Sequence, residues 1–131
     1  MALTLDVALA LINAAVKAGR EQGVPIAVAI VDTGGRIVAA ARSEQTGYIN
    51  LDIAQRKATT SVNFKTSTQA VLEMIKSDSF LLNAVMKEPE ITLIPGGLPI
   101  VIDGALVGAL GIAGGRYSQD HAIGEQVLKS L

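Results

Sequence analysis

Leu98 to Gly115, LPIVIDGALVGALGIAGG, is the stretch whose reading decides the fold. Asp103-Gly104 at its middle is a strong hairpin signal, because a two-residue type I′ turn needs positive φ at both central positions and Asp and Gly tolerate it. Two strands therefore face each other. In the second, Leu106, Gly108, Leu110 and Ile112 point to one side while Val107, Ala109, Gly111 and Ala113 point to the other. One face is bulky and the other nearly flat, so a helix can pack closely on the flat side. Pro95-Gly96-Gly97 precedes the hairpin and Gly114-Gly115 follows it. These two loops expose backbone, and a site is expected there.

Working outward, Ile26 to Val31 is a run of consecutive apolar residues that reads as a central strand covered on both faces. Asp32-Thr33-Gly34-Gly35 turns it into a second strand, Arg36 to Ala41. Before this hairpin, Thr4 is placed to cap a helix from Leu5 to about Glu21, with Leu5, Leu9, Ile12 and Val16 as its apolar stripe. Gly23 and Pro25 end it. After the hairpin, Asn50 reads as the N-cap of a helix running to about Ser61. Gln69 to Lys76 and Phe80 to Met86 are two shorter helices, the first started by Thr66 or Ser67. Ile91 to Ile94 reads as a short strand between Pro89 and Pro95. Ser118 is placed to cap a terminal helix whose buried face holds Ile123, Val127 and Leu131; Asp120 shares that face and His121 does not. Tight turns make the strands antiparallel, so the class is α+β with about five strands and helices packed on the sheet, in one domain over residues 1–131.

The 131 residues carry eleven Lys plus Arg against twelve Asp plus Glu, and aromatic residues are only 3% of the chain. With no basic run and few rings for base stacking, nucleic acid is not an expected partner. There is no cysteine, which excludes disulfides, iron–sulfur clusters and thiolate zinc sites and agrees with a cytoplasmic location. The first residues lack the pattern of a signal peptide, and the apolar Leu98–Ala113 stretch is interrupted by Asp-Gly, so neither a leader nor a membrane helix is expected. Half of the residues are hydrophobic. That is more than a lone small domain needs to hide, so copies of the chain are expected to associate.

The chemistry-bearing residues are few. A single histidine with no nucleophile elbow rules out a Ser-His-Asp arrangement, and the same scarcity argues against a protein-only metal site. His121 reads as solvent-exposed at a helix start. Lys57 shares a helix face with Ala54, Ala58 and Ser61, so it either snorkels out along the helix edge or marks a site. Gly34-Gly35, Gly96-Gly97 and Gly114-Gly115 either serve turns or let backbone approach a flat or anionic ligand, the last leading into a helix N-terminus. A haem pocket needs an apolar slot, cations for the propionates and an axial ligand. Lys57, Arg42 and Arg116 are the cations on offer, and His121, Tyr48, Tyr117, Met74 and Met86 the axial donors.

The blocks VAIVDTGGRIVAAAR at Val28 to Arg42, AQRKATT at Ala54 to Thr60, PGGLPI at Pro95 to Ile100, GALGIAGG at Gly108 to Gly115, and Gln119-Asp120 together resemble the GlcG/HbpS-like haem-binding family. That family also supplies the C-terminal domain of PduO-type cobalamin adenosyltransferases. The resemblance implies a profilin-like α+β fold with a five-stranded antiparallel sheet. It also implies homo-oligomers from dimers to octamers, and haem or a related tetrapyrrole or corrinoid as ligand. It points to Arg42 and Glu44, Lys57, Gly96 and Gly97, and Asp120 as site residues, with Gly114-Gly115 completing the pocket. His121 stands where the family carries an acid, and Ser43-Glu44-Gln45-Thr46 where it carries Met-Asp-Gly-Ala. Two other readings compete with a binding protein: a small-molecule enzyme of glycolate or diol metabolism using Lys57 and Asp120, and an assembly subunit without a ligand.

Overall fold

A computed structural model describes residues 2–131. The elements in chain order are α1 (Leu5–Glu21), β1 (Ala27–Asp32), β2 (Ile37–Arg42), α2 (Ile49–Phe64), α3 (Thr68–Ile75), α4 (Ser79–Met86), β3 (Gly97–Ile102), β4 (Ala105–Ala113) and α5 (Tyr117–Leu128). The strands form one antiparallel sheet in the order β2-β1-β4-β3. Asp103 and Gly104 adopt φ of 52° and 79°, as the hairpin reading requires. The α+β class with an antiparallel sheet is thus as expected, but the sheet among the described residues has four strands, not five.

The missing strand is the one expected at Ile91–Ile94. Its backbone donors find other partners: Thr92 N–H donates to Thr60 Oγ1 at 2.9 Å, and Ile94 N–H to Thr92 Oγ1 at 3.4 Å. With Ile91 N–H bonded to the Glu88 carbonyl at 3.2 Å, the next alternate donors taken by side chains and Pro95 ending the segment, the residues form no ladder.

The two faces of the sheet differ as the alternation of β1 and β4 dictates. Ile26, Val28, Ile30, Leu110 and Ile112 form the main core with Ala8, Leu11, Ile12 and Ala15 of α1 and Ile123 and Val127 of α5. On the other face, Ala27, Ala29 and Ala113 meet Ala54, while Val31 and Ala109 meet Ala58 and Val62, so α2 lies against small side chains. A Cβ at Gly111 would collide with the Ala54 carbonyl. The flat face of β4 therefore seats α2 almost backbone to backbone.

Several details differ from the sequence reading. The stripe of α1 is rotated: Leu5 and Leu9 are exposed, and Ala8, Leu11, Ile12, Ala15 and Ala18 are buried. Alanines allow the close approach that leucines would prevent. Tyr48, not Asn50, is the N-cap of α2, and the Asn50 amide donates to Thr46 Oγ1 at 2.9 Å. Arg116, not Ser118, caps α5, its N–H donating to Gln119 Oε1 at 3.1 Å. Leu131 is exposed. Thr4 and Ser67 cap α1 and α3 as read. No helix among the described residues is long and apolar enough to cross a membrane.

Candidate functional site

Helical spacing puts Ala54, Lys57, Ala58 and Ser61 on one face of α2, and that face lies on the sheet. The lysine stem therefore has no path to water. Its side chain is 2% exposed, so the snorkelling reading is overturned. Nζ donates to the Ile112 carbonyl at 2.7 Å and to Asp120 Oδ2 at 3.2 Å. Asp120, equally buried, accepts the Gly115 N–H on Oδ1 at 3.0 Å. One carboxylate thus ties the glycine turn after β4 to the lysine from α2.

The Gly96-Gly97 loop closes over this pair. Gly96 has φ of +133°, and a Cβ there would lie 2.7 Å from Lys57 Nζ. A Cβ at Gly97 would collide with the Lys57 carbonyl, and Gly97 N–H donates to Thr68 Oγ1 at 3.0 Å. Both glycines are set by close approach to the lysine. Burial pushes the Lys57 ammonium down from its ordinary 10.5, against the attraction of Asp120. It likewise pushes the Asp120 carboxyl up from 3.8, against Lys57 and the Gly115 N–H. Each group stays charged only as far as its partner offsets the lost hydration.

Lys57, Gly96, Gly97, Gly115 and Asp120 are therefore brought together. Arg42, Glu44 and Gly114 are not part of that cluster. Arg42 is exposed and donates from Nη1 to the Thr46 carbonyl at 2.7 Å, closing the 43–47 loop. Gly114 sits against Thr46 Oγ1 and the Pro25 carbonyl. Glu44 is exposed on a small hollow that Arg20, Val24 and Ser43 also line. Thr60 and Thr68, buried residues whose hydroxyls accept the Thr92 and Gly97 N–H groups, were not singled out by the sequence. Their recurrence on inward-facing positions was the available signal.

Beside the Gly96 loop runs an apolar groove of about 340 Å³, lined by Leu72 of α3, Met86 of α4, Ile91, Leu93 and Pro95 of the connecting segment, and Tyr117 of α5. Pro95 joins it to the buried pair, one residue from Gly96. Met86 and Tyr117 are 64% and 61% exposed. Of the axial donors the sequence offers, these two line the groove, whereas Tyr48, Met74 and His121 do not. His121 is also not the exposed residue expected. Its side chain is 13% exposed, with Nε2 3.5 Å from Glu125 and a buried, unpartnered Nδ1. A second apolar hollow, about 380 Å³ between α1 and the β3–β4 turn, has no His, Met or Tyr in its lining. Lys57 cannot reach a propionate, since Gly96 covers it.

Known proteins give the same outline. The chain is 27% identical over 127 residues to an uncharacterized 15.0 kDa protein from the dhaT-dhaS intergenic region of Citrobacter freundii, covering 96% of this chain and 89% of that protein. It is 29% identical over 111 residues to protein GlcG of Escherichia coli, covering 85% and 81%. A match at 29% identity to the corrinoid adenosyltransferase PduO of Salmonella typhimurium covers 92% of this chain but 36% of that enzyme. Among solved structures, a PduOC:heme complex superposes with a TM-score of 0.90 at 28% identity, covering 100% of this chain and 96% of that one. A double mutant of Streptomyces reticuli HbpS gives 0.88 at 28%, covering 100% and 88%. The family model described as haem degrading protein HbpS-like matches residues 3–129. A match of that extent, on a fold shared from end to end, means that this chain belongs to the HbpS-like family.

Proposed function

We propose that this chain is an oligomeric binding protein for haem or a related tetrapyrrole, with the groove between α3, α4 and the start of α5 as its seat. The observation that carries this reading is the groove itself: an apolar channel with two exposed haem-ligating side chain types at its surface. Apolar walls with few polar groups are the usual form of a cofactor site, and phenol and thioether are both known haem donors. Arg116 and Lys87, exposed and adjacent in the chain to Tyr117 and Met86, are the cations placed to meet carboxylates at the rim. When bound, haem supplies an iron centre whose reactivity follows from its axial ligand and surroundings. The protein's part is to hold and exclude water. The Ile112 N–H donates to the Gly96 carbonyl at 2.9 Å and ties the Gly96 loop to β4, with Lys57 packed closely against that loop.

Association of copies rests on uncovered apolar surface. No residue of α4 is buried, and Phe80 is 84% exposed. A helix this apolar, SFLLNAVM, gains from a covering surface. The enzyme reading is supported by the opposing shifts of Lys57 and Asp120 but not by access, since both side chains are enclosed.

Native mass spectrometry with and without added haemin tests the proposal. A haem-bearing oligomer saturating at one haem per subunit or per subunit pair is the expected result. Ile94→Glu, at an exposed groove position, is expected to weaken retention about tenfold by setting a charge against an apolar ligand. An oligomer that ignores haemin overturns the haem reading and favours the bare assembly subunit. Saturation by cobalamin alone moves the ligand class to corrinoids.

A further inference from the structure

The donor set of the groove allows a sharper statement, which rests on the haem reading above. We infer that the Tyr117 phenol is the axial donor to ferric haem in this chain. Three observations lead there.

The chain has no cysteine and one histidine, and that histidine is largely enclosed and lies against Glu125 outside the groove. The two commonest protein ligands for haem iron are thus removed from contention. Met86 and Tyr117 are what remains on the groove wall.

Between these two, iron oxidation state decides. Ferric iron is a hard cation and takes an anionic oxygen donor over a neutral thioether, which suits the softer reduced metal. Coordination forms a bond from Tyr117 Oη to the iron, releases the phenolic proton to water and displaces the aquo or hydroxo ligand of haemin. No electron is exchanged.

Position favours the same choice. Tyr117 is the first residue of α5, directly after Arg116. The negative charge that a metal-bound phenolate brings is therefore met by the positive end of the helix dipole, and Arg116 places a cation one residue away in the chain. Asp120, one turn on, does not oppose it in the same measure because its charge is compensated by Lys57 at 3.2 Å. The buried pair thus keeps the only carboxylate in the first turn of α5 directed inward, away from the ligand.

The test uses the purified protein loaded with haemin, in wild-type, Tyr117→Phe and Met86→Leu forms. Both side chains are mostly exposed, so neither substitution removes core packing. Visible absorption and resonance Raman spectra read the iron's ligand, and native mass spectrometry reads how much haem is held. The wild-type ferric complex is expected to show a phenolate-to-iron charge-transfer band and phenolate Raman modes. Tyr117→Phe is expected to lose both and to retain less haem, and Met86→Leu to keep both in the haem it retains. Phenolate signals that persist in Tyr117→Phe, or wild-type haem bound without them, overturn the assignment and leave the groove reading standing. Wild-type protein that binds no haemin at all overturns the groove reading and this assignment together.

Discussion

The two faces of the sheet bury their elements by opposite means. Toward α1 and α5, β1 and β4 present Ile, Val and Leu, and the interface is filled by side chains. Toward α2 they present Ala and Gly, with Val31 at one end, and the interface is closed largely by backbone approach. The first face derives its stability from apolar volume. The second has little apolar volume to give, and it is there that the chain buries a charged pair with both side chains 2% exposed. Close backbone packing brings carbonyl groups within reach of an ammonium, which an Ile-filled interface cannot do. Ile112 shows both roles: its side chain joins the apolar core while its carbonyl accepts from Lys57.

The sharpest way to break this contrast is Asp120→Ala, which leaves Lys57 enclosed without its counter-charge. A loss of about 3–5 kcal/mol in urea-unfolding stability is expected, the usual cost of stranding one half of a buried pair. On the opposite face, Leu110→Ala should lose about 2–5 kcal/mol by cavity formation in the same measurement. Equal losses from two chemically different faces would confirm that neither is dispensable. Gly111→Ala probes the seam's tightness, because its new methyl meets the Ala54 carbonyl; about 1–3 kcal/mol is expected from overpacking. A stability near wild type would show that α2 has room to move.

The smallest effect is the most informative about charge. In Asp120→Asn, Lys57 loses the partner that holds its affinity for protons up, so its depression below 10.5 deepens. Between that lowered value and 10.5 the unfolded chain binds more protons than the folded one. Stability of the variant is therefore expected to rise with pH through that window, over a wider span of pH than in wild type, measured as urea midpoints across alkaline buffers. The acid side runs the other way in wild type. Asp120 is raised above 3.8, so its contribution falls as pH climbs from 3.8 through the raised value. A variant whose midpoints do not change with alkaline pH would mean that Lys57 turns out to solvent once released.

Much of this was legible in the sequence because it is local. Asp103-Gly104 and Asp32-Thr33-Gly34-Gly35 announce turns wherever they occur, and the alternation of β4 tells which side is flat. Helical spacing alone placed Lys57 among alanines and Asp120 with Ile123 and Val127. That the two side chains meet is a fact of the assembled sheet, since only β4 and the Gly114-Gly115 turn bring α5 to α2. The absent fifth strand failed for the same reason. Ile91–Ile94 has strand composition, but the Thr60 hydroxyl that takes its N–H comes from another element. The α1 stripe misled because hydrophobic periodicity favours large residues, whereas the helix packs through Ala8, Ala15 and Ala18. Arg42 and Glu44 were grouped with Lys57 by the family resemblance, and the bond that holds Arg42 to the Thr46 carbonyl of its own loop, apart from the buried pair, is made only in the folded chain.

The strand order has a consequence in time as well as in space. β1 and β2 are neighbours in the chain, as are β3 and β4, and each pair is closed by a tight turn. The bond between the pairs is the central one, Ala27 opposite Ala113, with all of α2, α3 and α4 strung between the partners. Closing so long a loop costs entropy before any contact repays it, so the β1–β4 pairing carries a larger closure cost than either hairpin. The middle of the sheet, where the buried pair and the Gly96 loop take their positions, therefore waits on the pairing that spans the most chain.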